Sequence, residues 1–314
     1  MPSIIIYTLF ISICVKLLIN KQTRNFFSFT ILIFIIFNPA FIENCIIQGP
    51  IDIIPVFFVI LSILTIIKGR FTNLSLPFFT ISILIKFQMI AFFPVIAGML
   101  LNKNHRKFLL KNVLISIAVI IVVLFPYYLV GNLWNIIKVG YLNASERYKE
   151  LSLSASSIWI FHSNYGLDHN TPIFSKYVND FDLLKYVTYK YVGMFLFSIS
   201  SLILFARAYF TNNKSEFLTL AWVANILFYV FLTAMHERYI FYAVPISLIT
   251  SIYNKKLFIL SILMIYIATI NLAIYLYGLG NSVLLLRINC ILLILSALYL
   301  IYDIFKRALG QNIK

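Results

Sequence analysis

Charge is what this sequence has least of. Asp, Glu, Lys and Arg make up only 11% of its 314 residues, while 62% are hydrophobic. A water-soluble domain carries about a quarter of its residues charged, so this composition excludes one and makes lipid the solvent for most of the chain. Polar linkers, low-complexity tracts and internal repeats are missing too, which argues for a single integral membrane domain over residues 1–314. The opening MPSIIIYTLF has no basic stretch before its apolar run and no small-residue cleavage site after it, so it reads as a retained spanning helix rather than a signal peptide. Cys14, Cys45 and Cys290 show no CxxC spacing, hence no disulfide or metal framework. Acidic residues number 10 against 25 basic ones, a net charge of +15. The basic residues sit in short clusters between apolar runs, as topology signals do, and form no continuous stripe for nucleic acid.

What is present is a succession of apolar runs. They predict an all-α, polytopic membrane protein of about 9–11 transmembrane helices, with spans near 3–19, 26–42, 51–67, 112–131, 186–206, 217–235, 239–253, 257–277 and 283–302. At 1.5 Å per residue, segment 71–101 is long for one span and short for two. The clusters Lys21/Arg24, Lys68/Arg70, Lys103/Arg106/Lys107/Lys111, Arg207/Lys214, Lys255/Lys256 and Lys306/Arg307 all fall in the cytoplasm only if 71–101 leaves and returns, as two short helices meeting around Lys86-Phe87-Gln88. Glu43, Asp52, Glu146, Glu150, Asp168, Asp180, Asp182 and Glu237 then lie outside the cell membrane or at its outer boundary. So does the long loop 132–185, whose aromatic residues predict that it docks on the membrane surface. The first helix must also begin outside.

Several polar residues collect at that external end. MHERYIFYAVP (235–245) sets His236, Glu237 and Arg238 between two apolar runs. Either Arg238 anchors a helix end, snorkelling to lipid phosphates with Tyr239 in the aromatic belt, or the triplet belongs to a site. A zinc-protease HExxH motif is excluded, because position 240 is Ile240. In NPAFIENCIIQGPID (38–52), Asn38-Pro39 breaks the preceding helix. Asp52 is then either a helix N-cap or a functional carboxylate, and Glu43 reads as a solvated loop charge. Lys86 interrupts LSLPFFTISILIKFQMIAFFPVI, and a charge there faces a cavity, a partner or the headgroups. In the long loop, YKELSLSASSIWIF (148–161) reads as an interfacial segment with Trp159 as anchor. Asn143-Ala144-Ser145 is a glycosylation sequon, and His162, Asp168 and His169 have no recognised metal spacing.

Read in order, Asn38-Pro39-Ala40, Gly49 with Asp52, Lys86-Phe87-Gln88, Leu151-Ser152 through Ala155 to Trp159, and Met235-His236-Glu237-Arg238-Tyr239 resemble the GT-C type membrane glycosyltransferases. Nearest are the prokaryotic proteins related to the second mannosyltransferase of GPI-anchor synthesis. The likeness runs from about residue 30 to 250. It implies transfer of a sugar, mannose by this branch, from a polyprenyl-phosphate donor to an extracytoplasmic glycan, glycolipid or glycoprotein acceptor, with no obligatory metal cofactor. Lys86, His236 and Arg238 would bind the donor phosphate. Asp52 would orient the acceptor or assist as base, and Glu237 would hold Arg238 or bind sugar hydroxyls. Gln88, Ser154 and Trp159 would contact substrate.

The chain departs from the family pattern in three places. The usual Trp and Gln before the aspartate are Gln48 and Pro50 here. Serines, Ser154 and Ser157 or its neighbour, stand for the two asparagines before the aliphatic–Trp pair. The family's first helix and aspartate-bearing first external loop have no counterpart, which leaves an upstream segment, a separate chain supplying that part, or a degenerate enzyme as alternatives. Two readings from other classes stay open. A transporter or flippase would need broken helices in two matching halves, of which the sequence offers one, at Lys86. A non-catalytic membrane subunit is the other.

Overall fold

The computed structural model describes residues 2–20, 26–49, 51–143, 148–162, 167–173, 186–278 and 282–311. Lys21, Arg24, Pro50, Ala144, Ser145, Glu146, Asp180 and Asp182 lie outside these described residues. The α-helices in chain order are α1 (Pro2–Asn20), α2 (Phe26–Ile36), α3 (Pro39–Phe41), α4 (Ile53–Lys68), α5 (Ser75–Ile85), α6 (Phe93–Leu101), α7 (Leu109–Leu129), α8 (Leu133–Ile137), α9 (Tyr189–Phe210), α10 (Lys214–Phe231), α11 (Ala243–Tyr253), α12 (Phe258–Tyr277) and α13 (Ser282–Gln311). Two two-residue strands, β1 (Ser152–Leu153) and β2 (Met235–His236), pair in parallel. Seven helical stretches among the described residues are long and apolar enough to cross a membrane, and three shorter apolar ones, Ile53–Lys68, Thr72–Ile85 and Phe87–Leu101, lie between them. The protein is an all-α, multi-pass membrane protein.

Burial divides the helices by solvent. On α10, Trp222, Ala224, Asn225, Ile226 and Tyr229 are wholly covered, enclosed by α9, α11 and α13. On α7 and α9 the apolar side chains of Val122, Leu129, Phe195 and Leu202 stand largely bare, as lipid-facing surfaces do, because lipid tails are as apolar as the side chains that meet them. Where α6 crosses α9 the helices touch through small residues. A Cβ on Gly98 would come within 2.5 Å of the Phe205 carbonyl and 2.8 Å of the Ala208 Cβ, so only glycine allows this approach.

The short pair over 71–101 takes the form the sequence predicts. Helix α5 ends at Ile85, Lys86 is extended (φ −152°, ψ 113°), and a 3₁₀ turn over Phe87–Phe92 leads into α6. Pro94 sits in the first turn of α6, where its missing N–H costs no helical bond. Helix α10 corrects the expected span of 217–235. It starts earlier, where the Asn213 side chain accepts from the Ser215 N–H (3.0 Å), and it stops at Phe231, where the chain turns through Ala234 (φ +57°) into β2. The expected helix 239–253 is likewise a 3₁₀ turn, Glu237–Tyr242, followed by α11.

Polar turns tie one end of the bundle together. The Asn102 amide donates to the carbonyls of Tyr209 (2.7 Å) and Thr211 (3.0 Å), and Asn104 donates to Asn212 (2.8 Å). Buried Glu216 pairs with Arg207 and accepts from the Thr211 hydroxyl (2.9 Å). The guanidinium of Arg307 reaches Ser215 (2.9 Å). Lys68, Lys103, Arg106, Lys107 and Lys214 belong to this basic end, and the polar residues 38–52, 86 and 235–239 to the other. Cysteines placed singly at Lys68 and Lys103 are therefore expected to react with an impermeant thiol reagent from the same side of the membrane. Labelling from opposite sides would mean that 71–101 crosses once.

Candidate functional site

The site begins with a helix break. After Pro39, the Asn38 side chain accepts from the N–H groups of Ala40 (3.0 Å) and Phe41 (3.4 Å), capping α3. The chain then widens into a π-helical turn, Ile42–Ile47, closed by Gln48 N–H on the Glu43 carbonyl (2.9 Å). Such turns are rare and concentrate at functional sites. This one carries Asn44 to the start of α4, where its amide donates to Asp52 (3.4 Å). Asp52 stands at the N-cap position of α4 and makes no capping bond. Its carboxylate, wholly buried, turns to the break between α5 and α6 instead.

There it meets Lys86. The Lys86 ammonium, 16% exposed, pairs with one carboxylate oxygen of Asp52, and the Nε of Arg238, 33% exposed, lies 3.9 Å from the other. One buried carboxylate thus holds two cations. The rings of Tyr239 and Tyr242, stacked at 5.7 Å, stand 5.0 and 5.3 Å from the Lys86 ammonium, within the range of cation–π attraction. The Gln88 amide donates to the Tyr239 hydroxyl (3.1 Å). Burial pushes the Tyr239 phenol up to about 12, so it remains a neutral donor.

The long loop supplies the next wall. β1 pairs with β2 in the register Ser152 with Met235 and Leu153 with His236, and Ala234 N–H donates to the Leu151 carbonyl (3.1 Å). His236 lies edge-on between Tyr148 (4.6 Å) and Tyr239 (5.3 Å), its Nδ1 3.5 Å from the buried Glu237 carboxylate. Ser154 follows β1 with φ +53°. Trp159 is buried, and its indole N–H donates to the Phe231 carbonyl (2.7 Å). A Cβ on Gly193 would lie 2.4 Å from that same carbonyl oxygen and 3.3 Å from the Trp159 ring, so a glycine on α9 makes room for this contact. Below the loop, Ser156 N–H donates to the Tyr229 hydroxyl (2.8 Å), as does the Asn271 amide (2.8 Å). The Asn271 carbonyl accepts from Ser156 Oγ (2.7 Å) and from Asn289 (3.1 Å).

The fold therefore gathers Asp52, Lys86 and Arg238 in direct contact, Gln88 one residue away through Tyr239, and His236 with Glu237 beside them. Ser154 and Trp159 lie along the loop wall, the Trp159 indole already engaged with backbone. Asn44, Tyr148 and Tyr242 complete the cluster without any sequence signal of their own, since buried tyrosines and asparagines are common and only the fold brings these together.

This end is also short of partners. Among the described residues, Asn44 Oδ1, Gln48 Oε1, Glu43 Oε2, His236 Nε2, Glu237 Oε2 and Arg238 Nε are buried and accept or donate no hydrogen bond. Each such group costs about 1–3 kcal/mol unless a ligand or water meets it. Of these, His236, Glu237 and Arg238 are consecutive beside Asp52, and Asn44 joins the π-helical turn to them through its bond to Asp52. Among the described residues, no three or more His, Cys, Asp or Glu side chains converge where they could hold a metal ion. Comparison with known proteins returns no match, either to a protein-family model or to a curated protein sequence.

Proposed function

We propose that this chain is the membrane part of a GT-C type glycosyltransferase, moving a sugar from a polyprenyl-phosphate donor to a hydroxyl-bearing acceptor on the extracytoplasmic side of the cell membrane. One observation carries the reading: Lys86 and Arg238 converge on a single buried carboxylate at one end of the bundle, the Arg238 Nε at ion-pair distance but making no hydrogen bond among the described residues. Two cations so placed suit an anionic group such as a phosphate. The order of the sequence motifs supports the same assignment, and the positive-inside rule puts this end outside.

In the proposed reaction Lys86 and Arg238 neutralise the phosphate as it departs, which fixed cations in a site shielded from water do strongly. His236, wedged between two tyrosine rings, presents Nε2 as a further donor to phosphate when protonated. Glu237 holds His236, and Gln88 fixes the Tyr239 ring beside Lys86. The reading includes an upstream segment or a separate chain that adds the first helix and external loop of such enzymes.

An anchoring arginine tolerates lysine, since either reaches headgroups. A charge-assisted contact to phosphate is worth about 1.5–3 kcal/mol, or about 10- to 150-fold in affinity. Arg238→Lys and His236→Ala are therefore each expected to weaken binding of a polyprenyl-phosphate sugar by roughly that factor. The measurement is equilibrium binding to the complete protein in lipid nanodiscs. Native affinity in both variants would make the triplet a membrane anchor and end this reading.

A further inference from the structure

The carboxylate that the sequence marks, Asp52, is poorly placed to take a proton. Both of its oxygens face cations, Lys86 on one and Arg238 on the other, Asn44 also donates to it, and it is wholly buried. Glu43, one residue before Asn44 in the π-helical turn, is in the opposite condition. No cation pairs with it among the described residues. The residue is partly exposed, yet its Oε2 is buried and accepts no hydrogen bond. Gln48 lies one turn on, closing the turn on the Glu43 carbonyl, and its Oε1 is equally unpartnered. Between them stands Asn44, wholly buried, its amide N–H₂ on Asp52 and its Oδ1 free.

These three orphaned atoms are all hydrogen-bond acceptors. A phosphate, itself an acceptor, gains nothing from them, whereas hydroxyl groups satisfy them by donating. The π-helical turn thus carries three unpartnered acceptors and is joined to the cation cluster through the Asn44–Asp52 hydrogen bond. Two carboxylates in contrasting surroundings, one tied to cations and one unpaired, is also how a site separates a structural counter-ion from a working base.

We infer that Glu43 is the general base of the transfer and that Glu43, Asn44 and Gln48 bind the hydroxyl-bearing acceptor; this rests on the transferase reading above. The acceptor O–H proton passes to the Glu43 carboxylate as the acceptor oxygen bonds to the anomeric carbon. The bond from that carbon to the phosphate oxygen breaks, and its electron pair leaves with the polyprenyl phosphate on Lys86 and Arg238. The protonated Glu43 returns its proton to water when product leaves.

The test compares native protein with Glu43→Gln and Glu43→Ala, using the complete protein, polyprenyl-phosphate mannose and a mannoside acceptor. Dodecyl phosphate binding serves as the independent readout of the cationic wall. A positioned base contributes about 10²- to 10⁴-fold. Glu43→Gln is expected to lose transfer by that factor while binding dodecyl phosphate within about 2-fold of native, and added formate is expected to restore part of the activity of Glu43→Ala. Lost transfer without formate rescue would make Glu43 a structural residue and overturn the assignment. So would transfer by Glu43→Gln at native rate, and that result leaves the transferase reading standing. Native protein that neither transfers mannose nor binds dodecyl phosphate would remove both.

Discussion

Replacing Asp52 with Asn is expected to make the ligand-free protein less stable and, at the same time, to tighten its hold on an alkyl phosphate. Both effects follow from the position of the carboxylate. Asp52 is fully buried and bridges Lys86 and Arg238, so in the free protein it stands where an anionic ligand would stand. Removing one member of a buried ion pair leaves the other uncompensated and costs about 3–5 kcal/mol. The thermal midpoint of Asp52→Asn in detergent should fall accordingly. Phosphate then has no resident carboxylate to compete with. Freed charge-assisted contacts of about 1.5–3 kcal/mol correspond to about 10-fold or more in affinity, and dodecyl phosphate should restore stability by mass action. An Asp52 that touched only the acceptor would leave phosphate affinity unchanged. Weaker phosphate binding by the variant would reverse the assignment of Lys86 and Arg238.

The second large effect is expected at Asn271, far in sequence from the proposed site, Tyr242 being the nearest of its members. Its side chain donates to Tyr229 and accepts from Ser156 and Asn289, all of them buried. Asn271→Leu would strand the Ser156 hydroxyl and the Asn289 amide. At about 1–3 kcal/mol for each buried group left without its partner, the cost is about 2–6 kcal/mol. The loss should be local before it is global, because Ser156 is one of the points that pin the long loop, bonded to Tyr229 on α10 and Asn271 on α12. Hydrogen exchange across 148–162 is expected to quicken by about 30-fold or more, matching the lower bound of that cost. Unchanged exchange in that segment, with an unchanged melting temperature, would show that β1 and Trp159 hold the loop by themselves.

Much of the architecture could be read without coordinates. Lipid leaves little freedom to a chain that is mostly apolar: every backbone polar group must be satisfied internally, so runs of sufficient length become helices. The alternation of basic clusters then orders their directions. This logic also places the break at Lys86, because a charge in the middle of an apolar run has to reach a partner or a polar cavity. Helix ends were less legible. The stop of α10 at Phe231 depends on the Phe231 carbonyl meeting Trp159 and on Ala234 turning into β2, contacts with residues some seventy positions away.

The sequence by itself determined that this is a multi-pass helical membrane protein, that 71–101 folds back at Lys86, and that its scarce polar residues gather at the end opposite the basic clusters. Composition, span length and charge alternation act locally and survive any detail of packing. Only the tertiary structure decided what those residues do to one another. It turned Asp52 from a possible helix cap into the counter-ion of Lys86 and Arg238, took Arg238 from headgroup anchor to cluster member, and left Glu43, which reads in sequence as a solvated loop charge, as a partly buried carboxylate with no cation among the described residues. The physical reason is that a buried charge is defined by its partners, and partners brought together from α4, the α5–α6 break and the turn after β2 leave no trace in sequence spacing.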